Sequence, residues 1–301
     1  MFTRKQRPLL VKLLSLFSVV RGYNVLVIAI AQYLTAIYIL APDIPVKQVL
    51  LDGNLFALVA ASALAIASGY IINNFYDAEK DLINRPRKSL LDRQVSQRFK
   101  LTTYFILNFL SVVFASYASF AAVMFFSAYI FGIWLYSHKL KRLAFVGNII
   151  SSLLAITPFF AIFIYYMNFD PVIFVHAGFL FMLILIREMV KDLENMKGDL
   201  VYSYETVPVL YGETTSKVIM SVLVILAVLP AWLLITEFEI GHMYYYFYAC
   251  IIALLVFLGI LWRSDSKGHY LLLHNILKLI IVTGVFSILL IDIDLVLNRF
   301  V

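Results

Sequence analysis

NNFYDAEKDLINRPRKSLLDR, residues 73–93, is a polar break in a chain that is otherwise mostly apolar. Asn73, Asp77 and Asp81 recur at intervals of four, directly after a hydrophobic run and directly before Arg85, Arg87 and Lys88. At roughly 100° per residue, steps of four keep three side chains within about 80° of arc. A helix continuing past residue 73 would therefore present three oxygen-bearing groups on one face. The surroundings decide what kind of helix this is. The 301 residues are 63% hydrophobic and only 14% charged, whereas a soluble domain carries about 25% charged residues. This composition predicts an all-α, polytopic membrane protein.

A helix crosses the bilayer with about 20 apolar residues. Such stretches fall near 24–41, 55–73, 101–118, 120–136, 146–166, 172–190, 218–236, 243–262 and 275–292, which predicts nine transmembrane helices. The run from 101 to 136 must be divided by a very short turn around Ala118–Ala121. Short cytoplasmic loops accumulate Lys and Arg. Of the 24 basic residues, 21 lie toward the N-terminus and in the 74–100, 137–145, 187–217 and 263–274 connections, Lys278 lies in the first turn of the last span beside them, and only Lys47 and Arg299 lie opposite. That side is expected to be cytoplasmic, with the C-terminus opposite. Residues 1–21 start with a basic cluster and lack a small-residue cleavage site, so they read as an amphipathic segment lying on the membrane surface. The net charge of +6 reflects attraction to anionic lipid and gives no argument for nucleic acid. The single cysteine, Cys250, can form no internal disulfide.

A second acidic run, REMVKDLENMKGD at 187–199, follows the sixth apolar stretch. Glu188, Asp192, Asn195 and Asp199 share one helical face through steps of four, three and four. One cluster follows span two and the other span six, which predicts two four-helix units plus a ninth helix. If the halves pack face to face, the clusters would meet across a central cavity on the cytoplasmic side. Converging carboxylates repel one another and lose hydration, which becomes tolerable when divalent cations sit between them. Oxygen ligands suit magnesium or calcium, and magnesium characteristically joins one or two carboxylates to a substrate's phosphates. Arg85, Arg87, Lys88, Arg187 and Lys191 border the clusters, and a phosphate ligand satisfies both metals and bases. The alternative is a pair of solvated loops whose acids pair with neighbouring bases; two clusters with helical phasing at span ends favour the metal reading.

Residues 73–86 resemble the first Asp-rich motif of the UbiA superfamily of intramembrane prenyltransferases. Asn73, Asp77, Asp81, Asn84 and Pro86 match, and Asn74 stands where that family more often has Asp. NMKGD at 195–199 is similar to the second motif: Asp199 matches, Asn195 replaces the first Asp, and Asp192 one turn earlier is placed to supply the missing charge. LYSHKLKR at 135–142, GN at 147–148 and TVPVLYG at 206–212 are further similar pieces. The resemblance covers nearly the whole chain as a single domain, with 74–100 and 191–217 as cytoplasmic cap loops.

What the resemblance implies is a magnesium-dependent enzyme, with two magnesium ions, that takes an isoprenyl diphosphate through an allylic carbocation to a membrane-associated acceptor. It implies metal ligation by Asn73, Asp77, Asp81, Asp192, Asn195 and Asp199, with the four aspartates catalytic. Arg85, Lys141, Arg142, Arg187 and Lys191 would bind substrate. In RGYNVLVIAIAQYL, residues 21–34, Asn24 is a polar side chain inside a span; it is an acceptor-site candidate, weighed against an interhelical hydrogen bond. This stretch is similar to the branch of the family that prenylates geranylgeranylglyceryl phosphate with geranylgeranyl diphosphate as donor.

Three other readings stay open at this point: an aromatic acceptor, a divalent-cation transporter, and a noncatalytic prenyl-lipid binder. Acids at one membrane face rather than at mid-span count against transport. The five histidines form no metal-spaced group, and no Gly-rich phosphate loop or nucleophile elbow is present. The expected partners are the two lipid substrates and the bilayer, with no obligate protein partner evident.

Overall fold

The computed structural model describes residues 14–293. Of the expected surface segment 1–21, residues 14–20 are helical, and 1–13 lie outside the described residues, as does Arg299. Among the described residues nine helices are long and apolar enough to cross a membrane, and each overlaps one expected span. They are α1 Gly22–Thr35, which ends in a π-turn at Ala36–Leu40, α2 Gly53–Tyr76, α3 Gln97–Ala118, α4 Phe120–His138 and α5 Val146–Tyr166. There follow α6 Pro171–Val201, α7 Val207–Thr236, α8 Tyr244–Arg263 and α9 Lys267–Ser287.

The chain divides into two compact units. The first runs up to Ile30 and resumes over Gly53–Leu140; the second comprises Ala31–Asp52 and the chain from Lys141 onward. The division therefore cuts α1 at Ile30, where the sequence pattern had suggested whole groups of four helices and one extra.

In the first unit α2 packs against α3 and α4. Helices in lipid gain little from hydrophobicity and associate through small residues and interhelical hydrogen bonds. Both devices are present. A Cβ on Gly69 would lie 2.9 Å from the Ile133 side chain, so only glycine lets α4 come this close. Ser68 Oγ donates to Asn108 Oδ1 at 2.5 Å and Ser111 Oγ to the Ala61 carbonyl at 2.8 Å. The short turn expected after Ala118 is Ser119 alone, whose hydroxyl accepts from the Ala122 amide at 3.0 Å and caps α4.

In the second unit α6 packs against α5, α7 and α9, while α8 lies against α7 and α9. Phe247, Leu254, Phe257, Leu273 and Leu277 are fully buried there. Two expected loops differ from the observed chain. The 191–217 connection is mostly helix, with only 202–206 outside α6 and α7, because nothing breaks the helix after residue 190 and its next turns bury Leu193, Glu194 and Gly198. Gly212, at φ 83°, interrupts α7 and sets its first turn apart from the span. The 74–100 connection folds into two short helices, Lys80–Asn84 and Pro86–Asp92, the second begun by its proline.

Candidate active site

In the first unit α2 ends at Tyr76, yet the helical hydrogen bonding carries on through the turn. The Asp77 amide bonds the Asn73 carbonyl at 3.0 Å, Asp81 bonds Asp77 at 2.8 Å, and Arg85 bonds Asp81 at 2.7 Å. Each link spans four residues, so Asn73, Asp77 and Asp81 keep the common face the sequence predicts, with Arg85 at its end. Asp77 is buried, and Lys80 Nζ stands 3.6 Å from its Oδ1. Burial raises the Asp81 carboxyl above the usual range and the Asp77 charge adds to this, while Arg85, Lys80 and Lys88 pull the other way.

Asn74 points elsewhere. Its Nδ2 donates to Asp92 Oδ2 at 3.0 Å, and its Oδ1 accepts from the buried Lys100 Nζ at 2.8 Å. Asp92 also receives Lys88 Nζ at 2.8 Å and Ser18 Oγ at 2.8 Å. Asn74, Asp92 and Lys100 are all buried. This network fastens the Pro86–Asp92 helix to α2, α3 and the helical residues 14–20. Lys100 and Asp92 were not singled out in the sequence; the signal available was a lysine within the first turn of an apolar span, four residues after the Ser96 cap.

In the second unit Glu188, Asp192, Asn195 and Asp199 all lie on α6 in the predicted register. Asn148 Nδ2 donates to Asp192 Oδ2 at 2.7 Å, and Ser151 Oγ to Glu188 Oε2 at 3.1 Å. These α5 residues are spaced by three and hold one face of α6; the matched GN pair at 147–148 marked the place without giving the role. Lys191, expected at the substrate, is ion-paired with Glu188. The Arg187 Nε and the Asn195 Oδ1 are buried without a hydrogen-bond partner among the described residues.

The Lys141–Arg142 turn is carried to the end of α6 by backbone pairing. The Glu205 amide bonds the Arg142 carbonyl at 2.8 Å, and the Tyr204 amide bonds the Asp199 carbonyl at 2.8 Å. The Arg142 guanidinium lies over the Tyr204 ring, 5.1 Å from its centroid. Lys141 is buried, and Asp199 is 1% exposed. Tyr204 thus links a predicted diphosphate residue to a predicted metal ligand, a role that no spacing in the sequence announces.

Among the described residues of either unit, no three His, Cys, Asp or Glu side chains are grouped so as to hold a metal by themselves. That donor set still fits magnesium, which takes one or two carboxylates and completes its shell with water and substrate phosphate. The groups on these faces are oxygen donors only, and the buried Asn195 Oδ1, without a hydrogen-bond partner among the described residues, could serve as a neutral ligand. Nitrogen and sulfur ligands that would favour zinc are absent from both faces.

Residues 29–276 match the UbiA prenyltransferase family. The digeranylgeranylglyceryl phosphate synthase of Methanobrevibacter smithii is 29% identical over 267 residues, covering 83% of this chain and 88% of that protein. A solved digeranylgeranylglyceryl phosphate synthase structure superposes with a TM-score of 0.69 at 22% identity, covering 92% of this chain and 97% of its own. A UbiA homologue from Archaeoglobus fulgidus, solved with GPP and Mg2+, gives a TM-score of 0.64 at 16% identity, covering 91% and 99%.

Proposed function

We propose that this chain, which belongs to the UbiA prenyltransferase family, transfers a geranylgeranyl group from its diphosphate to the free hydroxyl of a prenylglyceryl phosphate. The enzyme is a multi-pass membrane prenyltransferase; donor length and acceptor are the step taken here. The relatives named digeranylgeranylglyceryl phosphate synthase support that acceptor, and the magnesium-bound homologue supports the metal.

The observation that carries the reading is the pair of oxygen-bearing helix faces, Asn73–Asp77–Asp81 at the end of α2 and Asp192–Asn195–Asp199 near the end of α6. In this reading the two faces supply the magnesium ligands, Asp77, Asp81, Asp192 and Asp199 as charged ones and Asn73 and Asn195 as neutral ones. Bound magnesium supplies positive charge to the departing diphosphate. Arg85 beside the first face, and Lys141, Arg142 and Arg187 beside the second, are the cations suited to diphosphate oxygens and to the charge of a leaving group. The carbon–oxygen bond of the donor breaks, the acceptor hydroxyl captures the allylic cation, and its proton leaves with the diphosphate. Water would capture the cation first, so the apolar spans that surround these residues protect the product.

The acidic ends of α2 and α6 face the cytoplasm in this proposal, following the lysine and arginine distribution. Exposed Lys267 and exposed Asp43 then lie on opposite sides. Cysteines placed at these positions in a Cys250→Ser background should label from opposite faces of sealed vesicles.

Labelled geranylgeranyl diphosphate offered with geranylgeranylglyceryl phosphate should give the diether product only with magnesium. Asp77→Ala and Asp199→Ala should each lower turnover about a hundredfold or more while the protein remains folded. Product from an aromatic acceptor alone would replace the acceptor assignment, and divalent-ion uptake without transfer would replace the enzyme reading.

A further inference from the structure

Arg21 joins the helical residues 14–20 to α1 with a φ of 50°. This left-handed conformation is uncommon for any residue but glycine and costs roughly 1–2 kcal/mol. It is the position at which a helix ordinarily ends on glycine. A glycine stands next in the chain, but packing claims it: a Cβ on Gly22 would lie 2.1 Å from the Phe17 ring. The turn thus uses its glycine for close packing and leaves an arginine in the strained place. Strain of this kind persists where the side chain has a task.

The side chain is directed. The Arg21 guanidinium lies over the Tyr70 ring, 5.0 Å from the centroid, and Asn24 Nδ2 donates to the Tyr70 hydroxyl at 3.3 Å. Among the described residues no group forms an ion pair or hydrogen bond with the Arg21 guanidinium. Tyr70 precedes Asn73 by three residues and Asp77 by seven, so it shares the face of α2 that carries the acids. Seven residues of helix measure about 10 Å. An oxyanion against Arg21, beside the Tyr70 ring, would lie roughly that far along the helix from a diphosphate against Asp77, leaving space between them for a reacting carbon and hydroxyl.

We propose that Arg21, oriented by Tyr70 and Asn24, binds the phosphate of the acceptor lipid. This rests on the glyceryl phosphate reading given above. A planar guanidinium with all its donors available suits a phosphate monoester, which it grips through two parallel hydrogen bonds. The donor's diphosphate already has the aspartate-bound metal and Arg85, so the second cation falls to the second substrate. Asn24, expected at the acceptor site or in an interhelical bond, does the second in the service of the first.

The test uses the full chain in lipid nanodiscs, with Arg21→Gln and Arg21→Gly. Loss of a charged hydrogen-bonding group should raise the KM for geranylgeranylglyceryl phosphate about ten- to a hundredfold and leave the donor KM unchanged. With geranylgeranylglycerol, which lacks the phosphate, wild type should be as poor as the variants, and the variants should lose nothing further. Arg21→Gly should also melt no lower than wild type, since glycine relieves the strained backbone. Equal losses on both acceptors, or a rise in donor KM, overturn the assignment. The acceptor reading fails differently, as a wild-type enzyme that transfers to neither glycerol lipid. In that case equilibrium binding of the phosphorylated lipid to wild type and Arg21→Gln decides, and equal affinity overturns the Arg21 site.

Discussion

Asn74 donates its amide to Asp92 Oδ2 at 3.0 Å while accepting from Lys100 at 2.8 Å. Only a group with both a donor and an acceptor can stand between a buried carboxylate and a buried ammonium in this way. The residue that departs from the family's acidic pattern therefore belongs to the clamp that fixes the segment after Asp81, and its neutrality is required by the neighbours it joins.

Asn74→Asp, the substitution toward the family pattern, should thus weaken the protein instead of strengthening metal binding. Two carboxylates would meet where one hydrogen bond is now, a loss of about 1.5–3 kcal/mol. A proton shared between the pair would repair the contact, so the deficit in thermal stability should be greatest above neutrality and shrink as pH falls. A variant that requires less magnesium for half-maximal activity, with unchanged melting, would refute the clamp.

Asp81 carries an electrostatic penalty. Its folded carboxyl titrates above the usual range, chiefly through burial and then through Asp77. The folded state therefore binds more protons than the unfolded chain between the usual carboxylate range and the raised value, and stability falls as pH rises through that window. Above it the penalty is complete. Asp81→Asn should raise the melting temperature at pH 7 without magnesium, with the gain vanishing in acid, and should abolish turnover. Magnesium should stabilise wild type more than the variant. A lower melting temperature for the variant at pH 7 would show that the charged form is stabilised by its neighbours.

Arg142 is held by a ring, that of Tyr204. Arg142→Lys keeps the charge but gives up the planar stack on Tyr204, worth about 1 kcal/mol, so the donor KM should rise roughly fivefold. Tyr204→Leu should do the same, and combining the two should add little, because both remove one contact. Additive effects would mean that Tyr204 acts on Asp199 through some other route.

The spans and the two acidic faces were legible because hydrophobic length and helical period are local properties of a sequence. The steps of four through Asn73, Asp77 and Asp81 survive the end of α2 since the backbone bonding continues from 73 to 85. The clamp of Asn74, Asp92 and Lys100 was not legible, because its partners come from three elements and periodicity within one helix says nothing about the next. The same holds for Asn148 on Asp192 and for Arg142 on Tyr204. Arg21 opens the stretch that holds Asn24, but its strain depends on Phe17 occupying the space beside Gly22, which no spacing reveals. The helical phasing through Asp199 agrees with the long α6, while the polarity of 191–217 reads as a loop; a helix leaving the bilayer can bury polar residues such as Glu194 against its neighbours.

The exchange of Asn195 with Asp192 tests the second face directly. In the family pattern the first acid of this motif falls at 195; here that position is an asparagine whose buried Oδ1 has no hydrogen-bond partner among the described residues, and the acid lies one turn earlier with Asn148 on its Oδ2. If Asp192 supplies the missing charge, Asp192→Asn should lower turnover about a hundredfold, and its amide oxygen can still accept from Asn148, so the fold should persist. Adding Asn195→Asp to that variant moves the charge three residues along the same helical face and should restore turnover at least tenfold, with the magnesium requirement returning toward wild type. Asn195→Asp alone should tighten magnesium while adding a third acid to the face, lowering stability when the metal is removed with a chelator. Failure of the double variant to recover any activity, with its melting temperature intact, would mean that Asp192 serves the packing of α5 on α6, and the ligand set would shrink to Asp199 and its neighbours.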